Sequence, residues 1–264
     1  MQKQNILITG GNGYIASALH KDLRVLHNTN IVTRSDFDLR DHRAVDSYFQ
    51  GKYFDVVIHC AAGGGSRLRE DINSTLDDNL TMYYNIVANE GSFGKLISFG
   101  SGAELNAKDT LYGLSKCVIR ESIKNKPNYY NIRIFGVFDE NELETRFIKS
   151  NIQRYLSKEP MIIHQDKFMD FFYMKDLVSL VKYYILNSDM PKELNCSYSD
   201  IWSLTKIADY INTLGDHKVE VNCVERGTGD GYYFSGINYM PSIPFIGLKV
   251  GIDEVYEKLK KWKK

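Results

Sequence analysis

Short apolar runs and longer stretches of helical spacing alternate through the first half of the chain. The runs are Ile6-Leu7-Ile8, Asn30 to Thr33, Phe54 to His59, Lys95 to Phe99 and Tyr130 to Phe135. Each is brief and bounded by turn-forming residues, as a buried strand requires. Between them, Tyr14 to Val25, Arg43 to Phe49, Leu76 to Asn89 and Leu111 to Lys124 repeat apolar residues three and four apart, the period of an amphipathic helix. Strands alternating with helices predict an α/β fold: a doubly wound parallel sheet with right-handed crossovers, its ligand at the carboxyl ends of the strands.

From about Gly136 the rhythm loosens. Helices are expected over Glu142 to Leu156, Lys175 to Leu186, Ser203 to Leu214 and Ile252 to Trp262, with short strands at Met161-Ile162-Ile163 and Val219-Glu220-Val221. Arg226 to Pro244 is rich in Gly, Tyr and Pro. The reading divides the chain into a nucleotide-binding domain over residues 1–136 and a smaller C-terminal substrate lobe over 137–264. No linker separates them, and some elements of the lobe are expected to return to the first domain.

Composition narrows the classes. The 264 residues, 43% hydrophobic, suffice for one large domain or a domain plus a lobe. Lys+Arg 33 against Asp+Glu 33 leaves no net charge and no electrostatic case for nucleic acid. The basic end, K-L-K-K-W-K-K, reads as a solvated helix terminus. No apolar run reaches membrane length, and Met1 to Gln4 lead straight into a strand, so a soluble cytoplasmic protein without a membrane partner is expected. Cys60, Cys117, Cys196 and Cys223 fit no metal or redox spacing and read as free buried thiols. His59 and His164 lack partners at ligand spacing, so no metal site is expected.

The most informative stretch is Asn5 to Ala16, N-I-L-I-T-G-G-N-G-Y-I-A. A strand running into Gly10, Gly11 and Gly13 and then a helix permits positive φ and lets a diphosphate approach the first-turn amides. Ala16 is small enough for close helix–strand contact. This is the turn of a Rossmann-type dinucleotide site, spaced G-x-x-G-x-x-A. At the end of the second strand, Thr33-Arg34 offers a hydroxyl and a guanidinium, which favours NADP(H) over NAD(H); Asp36 nearby argues the other way.

Tyr112 and Lys116 lie four apart on a helix and so share a face. An ammonium beside a phenol lowers its pKa, and bringing a tyrosine near pKa ~10 to working range asks roughly 3 to 4 kcal/mol of Lys116 and its surroundings. Tyr48/Lys52 and Tyr256/Lys260 have the same spacing but fall on what look like solvated faces. Only Tyr112 follows a strand ending in Gly100-Ser101-Gly102.

With these residues in place the chain resembles the extended short-chain dehydrogenase/reductase family, the nucleotide-sugar epimerases, dehydratases and reductases. The resemblance rests on Thr9 to Ala16, D-V-V-I-H-C-A-A (Asp55 to Ala62), K-L-I-S-F-G-S (Lys95 to Ser101), Y-G-L-S-K (Tyr112 to Lys116) and F-M-D-F-F-Y-M-K-D-L-V (Phe168 to Val178). It implies that Ser101 orients a substrate oxygen, Tyr112 passes the proton, and Lys116 tunes Tyr112 and holds the nicotinamide ribose. It also implies that Gly10, Asn12, Gly13, Tyr14, Ile15, Arg34, Asp38, Leu39, Ala61 and Ala62 hold the cofactor. Relatives often pair as homodimers through the helices here at Leu76 to Asn89 and Leu111 to Lys124, and Met82, Tyr83 and Ile119 read as an exposed face suited to that.

Within the family, Thr33 to Val45 and Lys95 to Ala103 look most like GDP-L-fucose synthase, yet the epimerisation pair of that enzyme, a Cys and a His, is matched by Ala103 and Arg146. Gly102 and Ala103 stand where dehydratases carry an Asp-Glu pair. What survives is hydride and proton transfer, which implies reduction of the 4-keto group of a nucleotide-activated deoxysugar. A C4 epimerase and a non-catalytic NADP(H)-binding regulator are the alternatives. Arg146 and Arg154 are candidates for the substrate diphosphate and Tyr233 for closure over the sugar. Met169 replaces an Arg that contacts the nucleotide in relatives. Only eleven positions separate Ser101 from Tyr112, fewer than is usual in the family.

Overall fold

Ile6, Leu7 and Ile8 are fully buried or nearly so, and β1 (Asn5–Thr9), which carries them, is accordingly a central strand. In this computed structural model, which describes residues 2–66, 69–228 and 243–263, β1 is followed by α1 (Tyr14–Leu23), β2 (Asn28–Val32), α2 (His42–Phe49), β3 (Phe54–His59) and α3 (Thr75–Val87). Next come β4 (Phe93–Ser101), the short α4 (Ala103–Asn106), α5 (Leu111–Lys124), β5 (Tyr129–Ile134) and β6 (Val137–Phe138). The rest comprises α6 (Phe147–Leu156), β7 (Met161–Asp166), β8 (Phe172–Tyr173), α7 (Met174–Leu186), β9 (Glu193–Cys196), α8 (Leu204–Ile211), β10 (Val221–Thr228) and α9 (Leu248–Trp262).

Six strands form one sheet in the order β2-β1-β3-β4-β5-β9, with β1 parallel to both β2 and β3, and β3 parallel to β4. The direction of winding reverses between β1 and β3, and a reversal of this kind opens a crevice at the carboxyl ends of those strands. The helix starts are chemically specified. Asp41 accepts the amides of Arg43 and Ala44 at 3.0 and 3.3 Å, and Thr110 accepts that of Gly113 at 3.0 Å.

The chain divides into two units. The first comprises Met1–Arg133 and Leu180–Leu194, the second Ile134–Ser179 and Asn195–Lys264. In the first, Leu7, Val57, Leu96, Phe49, Ile86 and Ile123 contribute to one core. In the second, Ile148, Ile152, Tyr155, Ile207, Ile252 and Val255 pack with Phe138 and Tyr173, and the small sheets pair β10 with β7 and β6 with β8, both parallel.

Several expectations need correction. Met82, Tyr83 and Ile119 are buried in the first core, so they form no exposed face for pairing; the apolar stripe of each helix faces its own sheet. Tyr256 is buried in the second core rather than solvated, and Tyr48 stacks on Phe37 with Lys52 over its ring. Only Cys196 of the four thiols is fully buried, and Cys223 is exposed. Helix α6 starts at Phe147, not Glu142, because residues 139–146 form turns closed by Glu142 N to Asp139 O at 3.3 Å and Arg146 N to Leu143 O at 2.9 Å. Helix α9 begins four residues before the expected Ile252.

Candidate active site

Gly10 turns the chain out of β1 with φ +72°, and a Cβ there would lie 2.7 Å from the amide nitrogen of Ala61 and 2.8 Å from its Cα. Glycine is therefore what lets the ends of β1 and β3 meet. Gly11 donates to Val32 O at 2.9 Å and Gly13 to Gly10 O at 2.8 Å, which folds the turn against β2. Gly13 is the N-cap of α1 and brings no side chain to accept its first-turn amides. Those donors, at the positive end of the helix dipole, suit an anion.

A cavity of about 390 Å³ opens at this place. Its lining includes the expected Gly10, Asn12, Gly13, Arg34, Asp38, Leu39, Ala61 and Ala62, whereas Tyr14 and Ile15 are the first residues of α1. A glycine cradle, a helix start without a side-chain cap and flanking cations fit a dinucleotide. On the β2 side, Arg40 pairs with Asp38 at 2.6 Å and Asp78 at 3.2 Å, and its hydrogen bonds pull the Asp38 carboxyl down to about 2. The Thr33 amide and hydroxyl both donate to Asp36, at 2.8 and 2.9 Å, while Arg34 is exposed.

Ser101 is the last residue of β4, buried, its hydroxyl accepting the Ala103 amide at 3.2 Å. The short connection to Tyr112 is filled by α4 and by the Thr110 cap of α5. One turn into α5, Lys116 is buried and donates to Phe99 O at 2.8 Å, with its nitrogen 5.6 Å from the centre of the Tyr112 ring. Burial pushes the Lys116 ammonium down to about 8, against the opposing attraction of Glu104. Ser101, Tyr112 and Lys116 thus arise from one strand end and one helix of the first unit.

Residues that sequence reasoning passed over brace this arrangement. Asn79, buried on α3, accepts the Gly63 amide at 2.7 Å, donates to Gly63 O at 3.0 Å and donates to Ser115 Oγ at 3.0 Å. A polar residue in an otherwise apolar helical stripe was the available signal. Asp71 accepts the amides of Gly65 at 2.8 Å and Tyr112 at 2.9 Å. No spacing in the sequence points to it. Nor does His59 stand alone: its Nδ1 lies 2.9 Å from Thr9 Oγ1, and burial lowers its pKa to about 3, so it is neutral.

The candidates for substrate belong to the second unit. Arg146 is the exposed N-cap of α6, and Arg154 lies in its last turn, 3.9 Å from Glu159. Met169 is part of that unit's core. Tyr233 lies outside the described residues.

An extended short-chain dehydrogenase/reductase fold with a glycine-lined cavity where β1 turns into α1 defines a class of nicotinamide-dependent oxidoreductases. Residues 6–197 match the model of the NAD dependent epimerase/dehydratase family, and the chain belongs to that family. No curated protein sequence matches it significantly. Among solved structures, it is similar to a GDP-mannoheptose C4 reductase from Campylobacter jejuni with NADP bound, at TM-score 0.79 and 16% identity over 98% of this chain and 99% of that one. It is similar to a dTDP-4-dehydrorhamnose reductase from Bacillus anthracis in complex with NADP, at TM-score 0.76 and 19% identity over 98% and 99%. A GDP-L-fucose synthetase from Naegleria fowleri gives TM-score 0.71 and 17% identity over 100% and 95%. No helix among the described residues is long and apolar enough to cross a membrane.

Proposed function

We propose that this protein reduces the 4-keto group of a nucleotide-activated deoxysugar with NADP(H) as cofactor. The observation that carries the reading is the buried Lys116 beside Tyr112, anchored to the strand that ends at Ser101. Residues 1–136 would supply the cofactor site and the reacting groups, and 137–264 would mainly hold the substrate, with Arg146, Arg154 and Tyr233 as its candidates.

When bound, the nicotinamide supplies the hydride. The protein's part is proton transfer: Ser101 donates a hydrogen bond to the carbonyl oxygen and orients it, and Tyr112 delivers its phenolic proton to that oxygen as charge develops. The Lys116 ammonium stabilises the resulting phenolate. The uncapped start of α1 would hold the diphosphate and Arg34 a 2′-phosphate. Ala103 and Arg146, standing where the Cys and His of GDP-L-fucose synthase are expected, do no acid–base chemistry at neutral pH, which argues against that enzyme's additional epimerisation step and leaves reduction. A C4 epimerase would use the same Ser101, Tyr112 and Lys116 and is separated by NADPH consumption.

The test is NADPH oxidation with GDP-, dTDP-, UDP- and CDP-linked 4-keto-6-deoxy sugars. Turnover with one carrier, abolished in Tyr112→Phe, supports the reading. Interconversion of C4 epimers without net NADPH consumption would replace it with an epimerase. Tight NADP(H) binding with silence across the panel would replace it with a regulatory binder.

A further inference from the structure

Three residues beyond Ser101 lies a charge that the proton-transfer scheme above does not use. Glu104 is fully buried on α4. Arg133 of β5, also buried, donates through Nε to its carboxylate, and Asn131 of the same strand donates to it at 3.1 Å. The carboxylate lies against the strand that carries Ser101: a Cβ at Gly100 would come within 2.7 Å of Glu104 Oε1. Its backbone carbonyl accepts the thiol of Cys117, the residue after Lys116, at 3.2 Å. Glu104 is therefore tied to both elements of the candidate centre.

Burial alone would neutralise such a carboxyl. Burial is the larger influence and raises the Glu104 carboxyl above its usual range, while the Arg133 guanidinium and the Asn131 amide pull towards the ionised form; Arg133 is itself held at its far end by Glu193 at 2.6 Å. A buried ion pair that crosses from α4 to β5 is weak evidence for stability. It does place a carboxylate against Gly100, the residue after Phe99, whose carbonyl accepts the Lys116 ammonium at 2.8 Å. Among the described residues, the titratable groups that act electrostatically on Lys116 are Glu104 from α4 and His59 and Cys60 from the end of β3; the Phe99 carbonyl of β4 accepts its hydrogen bond, and the centre of the Tyr112 ring of its own helix lies 5.6 Å away. His59 is neutral, and burial raises the Cys60 thiol so that it stays protonated, which leaves Glu104 as the anion.

We propose that Glu104 is a positioning residue of the proton-transfer centre: its carboxylate, oriented by Arg133 and Asn131, is the counter-charge that keeps Lys116 an ammonium beside Tyr112. This rests on the reductase reading for its consequence in turnover, but not for its effect on Lys116.

Glu104→Gln removes the charge while keeping an acceptor oxygen for Arg133 and Asn131, and Arg133 keeps Glu193. Two readouts apply: the titration of Lys116, followed by NMR with isotope-labelled lysine and assigned with Lys116→Met, and the pH profile of kcat/KM. The expected result is a Lys116 midpoint lower by roughly one pH unit, with the basic limb of kcat/KM moving by the same amount. Glu104→Asp should return both most of the way. A uniform loss of activity across pH, with the Lys116 midpoint unmoved, would reduce Glu104 to a packing role and overturn the proposal.

Should Glu104→Gln fail to fold, Glu193→Gln serves, since Glu193 is partly exposed and its loss leaves the Arg133 charge to offset Glu104. A smaller downward shift is expected, and no shift overturns the inference. If wild type turns over no 4-keto sugar, the reductase reading fails and the Lys116 titration alone decides.

Discussion

Asp71 joins a loop to the start of α5: one carboxylate oxygen accepts the amide of Tyr112 at 2.9 Å and the other that of Gly65 at 2.8 Å. Gly65 has φ +70°, and a Cβ on it would lie 2.7 Å from Cε1 of the Tyr112 ring. Gly65→Ala should therefore displace that ring. We expect kcat to fall at least about tenfold, with NADPH affinity within about threefold of wild type, as read by steady-state kinetics and nicotinamide fluorescence. An unchanged kcat would show that the ring tolerates movement.

Tyr112→Phe removes the phenolic hydroxyl, the proposed proton donor, and little else. A loss of roughly a hundredfold or more in kcat is expected, with binding of cofactor retained.

Under the proposed reaction, Lys116 sets a conflict between activity and stability. Its folded pKa of about 8 lies below the unfolded value of 10.5, so between those values the unfolded chain binds more protons and stability rises with pH. Below pH about 8 the buried charge costs the fold its full penalty. Lys116→Met should therefore abolish turnover yet stabilise the protein by about 1 to 2 kcal/mol at neutral pH, a gain that shrinks towards pH 10.5. Urea titrations at pH values below and above that window measure it.

Lys95 is a structural cation. From β4 it donates to the carbonyls of Tyr184, Ile185 and Asn187 at the end of α7, at 3.1 Å for Ile185 and 2.8 Å for Asn187. Carbonyls at a helix's C-terminal end run out of intrahelical donors, and the ammonium supplies one. Lys95→Met should cost about 2 to 4 kcal/mol in denaturant unfolding, with kcat per folded molecule unchanged.

At the cofactor cavity, Arg34→Ala should lower NADPH affinity roughly tenfold or more and leave NADH affinity nearly unchanged. Equal losses for both would assign Arg34 to a different part of the ligand.

Much of this was legible in the chain. Strands β1, β3 and β4 carry apolar runs because both faces are covered, and the glycine turn declares itself because no other residue fits between β1 and Ala61. Strand β9, Glu-Leu-Asn-Cys, escaped notice because four residues with alternating burial carry almost no periodic signal. Helix α4 escaped for the same reason of length. Met82 and Tyr83 were misread because spacing gives the width of an apolar stripe but not its direction. Asp71 and Glu104 act through partners distant in sequence, and only the folded chain brings Gly65 to Tyr112 or Arg133 to Glu104.

The sixth strand of the large sheet has a consequence for how the protein is made. The first unit is interrupted: the chain leaves it after Arg133 and comes back at Leu180, and the Asn131 amide bonds to Lys192 O at 2.7 Å. On the ribosome, β5 must wait as an open edge while some sixty further residues emerge before its neighbour is available. A fragment ending near residue 136 would keep the glycine turn, Ser101, Tyr112 and Lys116 and yet carry that edge bare. It should be recovered mostly as aggregate, whereas a circular permutant that opens the chain elsewhere but supplies residues 180–194 should not.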